Sequence, residues 1–576
     1  MHDQIMLKEE PGWKPVLLIA LLAACLFTLR VACPANLAGQ DQERPAMYVL
    51  DAVNNGNWLC QRDLNGDITS KPPLYTWCCA LLTVLFGRIN IVCLYLPGAL
   101  GAFGIAWLVF KTGSAHFGRR AALFAVLATL LTTANLKGMG LARTDELFTF
   151  MVAATALLAY RSWTQGGGWV WFWLVAAAAT LTKGPLGVVL GAAGLLACLW
   201  ERRSGERLPL KGSHLAGIIL FFLITGGWLL LSWWEYGQPV IAKLIGRELV
   251  GNAVINQTHA IGALFWQPAL YYLGRGAPWS LFAYYGLWRL VRHPATEAGE
   301  RRFERFLFCW FAAGLCIFSL SPHQRGDLLW PIMPAGALIA GRELARLTRA
   351  WTQARVNRLV AVIIVVAMSW FGFYYLTGRL GERAVLETVA LKKLARALEQ
   401  AGGKGFPLTH VDDPRTLQFY LNSWRPGVSD ERAAQLLRGA EPAFVAVNDW
   451  QQLQLARKPD DPPWFTLLPD AANSNNCPAR IVANRPGLNL ADGCAFCFGP
   501  VFVRVHGARL LSATEPELRF TASGSAGEII IANESAAARK LRVCVIAEGR
   551  RLVQERVLAG NETWSIPLGA IPRQSG

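Results

Sequence analysis

With 576 residues, 53% of them hydrophobic, only 16% charged and 23 Trp, the chain is too apolar for a water-soluble protein of its length and reads as a polytopic membrane protein. The formal charge of +17 does not point to nucleic acid, because the Lys and Arg residues lie in short connections between apolar runs, where membrane proteins carry cytoplasmic charge. The apolar runs stop near residue 377 and the remainder has the mixed composition of a soluble domain, so more than one unit is expected.

The first apolar run, Val16 to Ala32, follows Lys8 and Lys14 and fits an uncleaved signal-anchor. Runs of bilayer length predict spans near 15–33, 91–111, 120–137, 143–160, 168–183, 184–200, 214–234, 266–290, 304–321, 327–345 and 357–377. This is a membrane domain of about 11–13 transmembrane helices. Four basic connections are assigned to the cytoplasm: Lys111 to Arg120, Arg202 to Lys211, Arg289 to Arg305 and Arg342 to Arg358. That assignment is self-consistent only if the short apolar piece from Leu74 to Phe86 does not cross and instead lies at the interface. Every polar island then falls on one extracytoplasmic side: Asp41 to Lys71, Arg143 to Glu146, the loop 235–265, Ser321 to Asp327, and all that follows about residue 378.

Several residues on that side can do chemistry. Asp41 and Glu43 follow the first span, and Asp145 and Glu146 open the fourth. A carboxylate there can act as general base on an acceptor hydroxyl, although Asp145 can equally cap its helix. Lys71 precedes Pro72-Pro73, which delays helix until after the pair and suits the lysine to gripping a lipid phosphate. Arg325, in Ser321-Pro-His-Gln-Arg-Gly-Asp327, offers a bidentate cation to a phosphate or a partner to Asp327. Arg143 is a further cation on the same side, and His259 sits in a long loop rich in aromatic residues.

The tail divides into two. From Glu387 a helix, Leu408 to Val411, a helix near 430–437 and Ala443 to Val447 predict a small α/β domain. Val501 to Val505, Leu518 to Thr521, Glu528 to Ala532, Lys540 to Ala547 and Leu552 to Val557 predict a β-sandwich-like module. The expected boundaries are 1–380, 381–498 and 499–576. Cys477, Cys494 and Cys497 lie in the join. They do not make a full zinc set, and one extracytoplasmic disulfide, Cys477 to Cys494, is expected from loop length.

Taken together, Asp-x-Glu after the first span, Gly56-Asn-Trp58, Asn65-Gly66, Lys71-Pro-Pro-Leu-Tyr-x-Trp77, Arg143-Thr-Asp145, Leu181-Thr-Lys-Gly-Pro185, Gln267-Pro and Ala277-Pro-Trp279 resemble the bacterial branch of the protein-mannosyltransferase and aminoarabinose (lipid A) transferase superfamily. The resemblance runs in order over about the first 345 residues. It implies a GT-C membrane glycosyltransferase that moves a sugar, with inversion, from a polyprenyl-phosphate donor to an extracytoplasmic lipid, protein or glycan in the bacterial inner membrane. It gives Asp41 the catalytic acid position, Asp145 the second acidic position, Lys71 the donor-phosphate contact, and His259 an acceptor or metal contact. Ser70 stands where the family pattern commonly has Glu before Lys-Pro-Pro, and this argues against a divalent metal held by that Glu and the loop His. Gln324 and Leu328 likewise depart from a Ser-x-x-Lys-Arg pattern with a following Tyr, which puts the identity of donor and acceptor in question. Two other readings stay open: a transporter or flippase of lipid-linked sugars, and a non-catalytic membrane scaffold derived from the enzyme.

Overall fold

A computed structural model describes residues 13–33, 35, 37, 40–203, 214–246, 264–321, 324–402 and, with interruptions in loops, 408–570. The chain forms two compact units. One comprises Met1–Pro34, Asp51–Arg62 and Ile68–Arg379, the other Ala35–Leu50, Asp63–Asp67 and Leu380–Gly576.

The first unit is helical. Among the described residues, five helices are long and apolar enough to cross a membrane: Trp13–Ala32, Ile91–Phe117, His214–Tyr236, Ala298–Leu320 and Gln353–Gly378. Their surfaces carry what water would reject, including Leu223 at 67%, Trp234 at 83% and Val365 at 63% exposed, as expected where lipid is the solvent. Of the remaining expected spans, that near 143–160 is the continuous helix Asp145–Gln165, while the others are shorter or interrupted helices, and the interruptions follow local chemistry. The run near 120–137 is two helices, Arg119–Leu130 and Thr133–Gly138, and the Thr132 hydroxyl caps the second by accepting from the Asn135 N–H at 3.2 Å. The run near 266–290 is likewise two, Gln267–Arg275 and Trp279–Arg292, parted at Gly276-Ala277-Pro278, where the Ala277–Pro278 bond is cis. The run near 327–345 becomes a 3-10 turn, Gly326–Ile332, before the helix Met333–Leu347, so Asp327 lies ahead of the helix rather than within it. The Leu74–Phe86 helix has the bounds expected of the interfacial piece and ends at Gly87, whose φ of 68° a side chain would resist.

Large aromatic residues fill the core between these helices. Trp163, Trp169, Phe303, Phe306, Trp310 and Phe311 are almost wholly buried, and Tyr272 meets Phe311 edge-on at 4.7 Å. The basic connections contain buried ion pairs. Arg305 reaches the fully buried Glu201 at 2.6 Å, while Arg342 pairs with Glu304, with Glu343 at 2.7 Å and with Glu300 at 3.6 Å. A carboxylate buried in an apolar protein requires such partners.

The second unit holds the helices Arg383–Gly402, Arg415–Leu421 and Asp430–Arg438 with strands β1 (Leu408–His410), β2 (Phe444–Val447), β3 (Phe465–Leu467) and β4 (Arg480–Ala483) in the order β1-β2-β4-β3. Among the described residues of this sheet, β1–β2 is parallel and the other two pairs are antiparallel. Strands β5 (Ala495–Phe498), β6 (Val501–His506), β7 (Ala508–Thr514), β8 (Glu517–Ala522), β9 (Glu528–Asn533), β10 (Arg539–Ala547), β11 (Arg550–Leu558) and β12 (Thr563–Pro567) form two sheets, β11-β10-β8-β7 and β12-β9-β6-β5. Alternate residues such as Ile529, Ile531, Leu541 and Val543 bury one face. All five strands expected here are present. The shorter β3, β4 and β5 and the flanking β7 and β12 were not expected from the pattern.

Candidate functional site

The motif residues around Lys71 are built into the fold rather than solvated. Asp51, fully buried, accepts from Asn55 Nδ2 at 2.8 Å, Asn57 Nδ2 at 2.9 Å and the Arg62 N–H at 2.6 Å. Three donors of this kind hold a loop in one conformation. The Trp77 indole donates to the Trp58 carbonyl at 2.7 Å, and the Trp228 indole donates to the Leu59 carbonyl at 2.9 Å. Pro72 and Pro73 hold off helix formation until Leu74, so Trp77, in the first turn, can reach back to Trp58. Lys71 is half-buried, and both its N–H and its carbonyl bond the Thr69 hydroxyl, at 3.3 and 3.0 Å. Gly56-Asn-Trp58 and the Lys-Pro-Pro segment are therefore one structural piece.

A second piece surrounds Asp145. This residue opens the helix Asp145–Gln165, where the positive end of the helix dipole favours a carboxylate. Lys183, in the last turn of Trp169–Lys183, donates to Asp145 Oδ1 and lies 5.6 Å from the Phe148 ring centroid. Gly184, at φ 105°, and Pro185 end that helix immediately after the lysine. The neighbouring Glu146 is buried, and it fits because residue 138 has no side chain: a Cβ on Gly138 would stand 2.2 Å from Glu146 Oε1. The intervening loop is further fixed by Arg30, which donates to the Gly140 carbonyl at 3.1 Å and stacks 3.9 Å over the Tyr375 ring.

Three cations converge on one carboxylate beside this loop. Asp327 Oδ2 lies 3.4 Å from Lys137 Nζ and 3.2 Å from Arg143 Nη1, and its Oδ1 lies 3.4 Å from Arg275 Nη1. Burial pushes the Asp327 carboxyl up, but Lys137, Arg275 and Arg143 outweigh it and hold it below the usual carboxylate range. Arg325, exposed, is not the partner that Asp327 takes.

The structure thus sorts the expected residues. Lys71, Arg143, Asp145 and Arg325 belong to the helical unit, whereas Asp41 and Glu43 are grouped with the other. Asp41 lies in the first turn of the helix Gln40–Asn55, with its side chain outside the described residues. Glu43 Oε1 accepts from the Thr416 hydroxyl at 2.9 Å. Asn65-Gly66 is a turn in which Asp63 Oδ1 accepts from the N–H groups of Asn65 and Asp67 at 3.0 and 3.1 Å. His259, Cys477 and Cys494 lie outside the described residues. Among the described residues no three His, Cys, Asp or Glu side chains are grouped to hold a metal ion.

Residues 70–230 match the family model described as dolichyl-phosphate-mannose-protein mannosyltransferase. Two uncharacterized proteins of Aquifex aeolicus are similar in sequence. One is 27% identical over 283 residues, 48% of this chain and 53% of the relative, and the other is 30% identical over 203 residues, 35% and 45% respectively. The chain spans about half the length of these curated relatives. The crystal structure of ArnT from Cupriavidus metallidurans bound to undecaprenyl phosphate is similar with a TM-score of 0.64 at 19% identity, covering 83% of this chain and 99% of that one. The chain has the GT-C fold. The apo form of the same ArnT gives a TM-score of 0.63. Within the GT-C fold of this chain, the family-matched stretch contains Lys71, Lys137, Arg143, Asp145 and Lys183, while Arg275 and Asp327 lie beyond it.

Sequence reasoning assigned no role to Asp51, Lys137, Lys183 or Arg275. Lys183 carried a usable signal: the charge pattern assigns its end of the apolar run to the extracytoplasmic side, and a lysine before Gly-Pro there goes against the positive-inside trend. Asp51, within Tyr48-Val-Leu-Asp-Ala-Val53, is a lone acid in an apolar stretch and so had to be paired.

Proposed function

We propose that this protein is an inverting glycosyltransferase of the bacterial inner membrane. It moves a sugar from a polyprenyl-phosphate donor to an extracytoplasmic lipid, protein or glycan. The observation that carries this reading is the fold shared with ArnT over nearly all of that chain, in a structure that holds undecaprenyl phosphate. The match of residues 70–230 to a dolichyl-phosphate-mannose transferase family supports the same donor class. On this reading the membrane domain is 1–380, and residues 381–498 and 499–576 are extracytoplasmic modules.

A lipid phosphate is an activated leaving group, so the protein need only align the acceptor, take its proton and neutralise the departing phosphate. Asp41 is the proposed base. The acceptor oxygen attacks the anomeric carbon as its proton passes to the Asp41 carboxylate. The bond from that carbon to the phosphate oxygen breaks, and polyprenyl phosphate departs with the electron pair. Lys71, with Arg143 and Arg325, offsets the negative charge that develops there. Asp145, steadied by Lys183, is the second carboxylate of the site, and Glu43 positions the helix that carries Asp41.

Replacing Asp41 by Asn tests the assignment. Turnover of labelled polyprenyl-phosphate sugar should fall by about 10²-fold or more, with donor binding retained. Undiminished turnover would remove Asp41 from the mechanism. Donor binding with no turnover by the unsubstituted protein would favour a scaffold over an enzyme.

A further inference from the structure

The helix Arg383–Gly402 follows closely on Gln353–Gly378, which is long and apolar enough to cross a membrane. The few residues from Gly378 to Arg383 reach at most about 18 Å when fully extended, so the start of the helix is tethered near the point where the span leaves the bilayer. One side of this helix is committed. Leu391, Leu394, Ala395 and Leu398 are buried in a core shared with Leu408, Ala446 and Ile481 of the sheet β1-β2-β4-β3. With about 3.6 residues per turn, Leu386, Val389, Lys393 and Arg396 share the other side. Leu386 and Val389 are each 37% exposed, and Lys392, Lys393 and Arg396 are exposed as well. A single exposed leucine needs no explanation. Here Phe373, Leu376, Leu380, Leu386 and Val389 succeed one another along the chain, all of them exposed, from the end of the span into the helix. Arg383, Lys392, Lys393 and Arg396 against Glu387 and Glu399 leave the helix a net charge of +2, and Glu387 is taken by Arg383 at 2.7 Å.

We propose that the helix Arg383–Gly402 lies along the membrane surface, with Leu386 and Val389 at the headgroup boundary and Lys392, Lys393 and Arg396 against anionic phospholipid. A helix takes this position when its outer face combines apolar side chains with Lys and Arg. The methylene stems of the cations follow the apolar surface while their charged ends reach the headgroups. Attraction to anionic lipid falls off within a Debye length, so it acts only on a helix already held near the surface, as the short link to the span ensures. The opposite, buried side carries the sheet β1-β2-β4-β3, and the bilayer thereby supports the soluble unit through this one helix. The occupant of the exposed face is the surrounding phospholipid rather than a substrate. The inference depends on the span and not on the transferase reading.

The test uses the full-length protein in nanodiscs made of equal parts phosphatidylglycerol and phosphatidylcholine, with the photo-cross-linking residue p-benzoylphenylalanine in place of Val389. Illumination followed by mass spectrometry should find lipid attached at this position, with phosphatidylglycerol in several-fold excess over phosphatidylcholine. The double substitution Lys393→Glu with Arg396→Glu should abolish that excess, as should high salt. Its thermal midpoint should match that of the unsubstituted protein, because both side chains are exposed. Cross-linking to a second protein chain in place of lipid, or no cross-link at all, would overturn the proposal. Equal labelling of the two lipids would overturn the assignment to anionic phospholipid, and an excess that survives both substitutions would overturn the contact with these cations. Sugar transfer plays no part in the readout, so a failure here leaves the transferase reading standing.

Discussion

At the scale of single residues, the charges in this membrane domain are placed where other groups answer them. Asp145 has Lys183, Asp51 has two asparagine amides and a backbone N–H, and Asp327 has three cations. Removing one member of a buried pair leaves an uncompensated charge, which costs about 3–5 kcal/mol, while removing both is far cheaper. Lys183→Met should therefore lower the thermal midpoint of the detergent-solubilised protein markedly, and the double variant Asp145→Asn with Lys183→Met should recover most of the loss. Equal midpoints for the single and double variants would show that the pair is not coupled. The acids Asp41 and Asp145 and the cations Lys71 and Arg143 were recognisable in the sequence because polar residues beside apolar runs are few. Their partners were not, because a salt bridge between residues 145 and 183 is a property of helix packing, which leaves no local pattern to read.

At the scale of elements, the decisive feature is the tight passage from Thr133–Gly138 through the loop to Asp145–Gln165. Thr132 caps the first helix, and Gly138 makes room for the Glu146 side chain. Gly138→Ala should push Glu146 out of place, with overpacking worth about 1–3 kcal/mol. Because the same loop carries Arg143 and leads into Asp145, transfer should fall along with thermal stability. Thermal melts and turnover measured on the same preparation check this, and wild-type values for both would mean that the loop accommodates the methyl group. Helix existence was legible from apolar run length, as for Trp13–Ala32 and Ile91–Phe117. The breaks were less so. A run such as 266–290 looks continuous in hydropathy, yet Gly276-Ala-Pro278 divides it, since proline cannot donate the N–H that a continuous helix needs. The first-loop helix Gln40–Asn55, with Pro45 inside it, was hidden by its polar composition.

At the scale of the whole molecule, a helical unit and a strand-rich unit share one chain, and the division runs through the first loop. The change of composition after about residue 377 separates the apolar part from the rest, for which boundaries of 1–380, 381–498 and 499–576 are expected, but it does not tell that Ala35–Leu50 and Asp63–Asp67 group with the later residues. Such grouping is set by long-range contacts like that between Thr416 and Glu43, which no periodicity records. Transfer from a lipid-linked sugar is measured most directly as the release of free polyprenyl phosphate from labelled polyprenyl-phosphate sugar by the purified protein in proteoliposomes, supplied with cell-envelope acceptors. Acceptor-dependent release, with the label recovered on an acceptor and its anomeric configuration inverted, is the predicted result. Donor that crosses the bilayer intact, with no release under any acceptor, would contradict it.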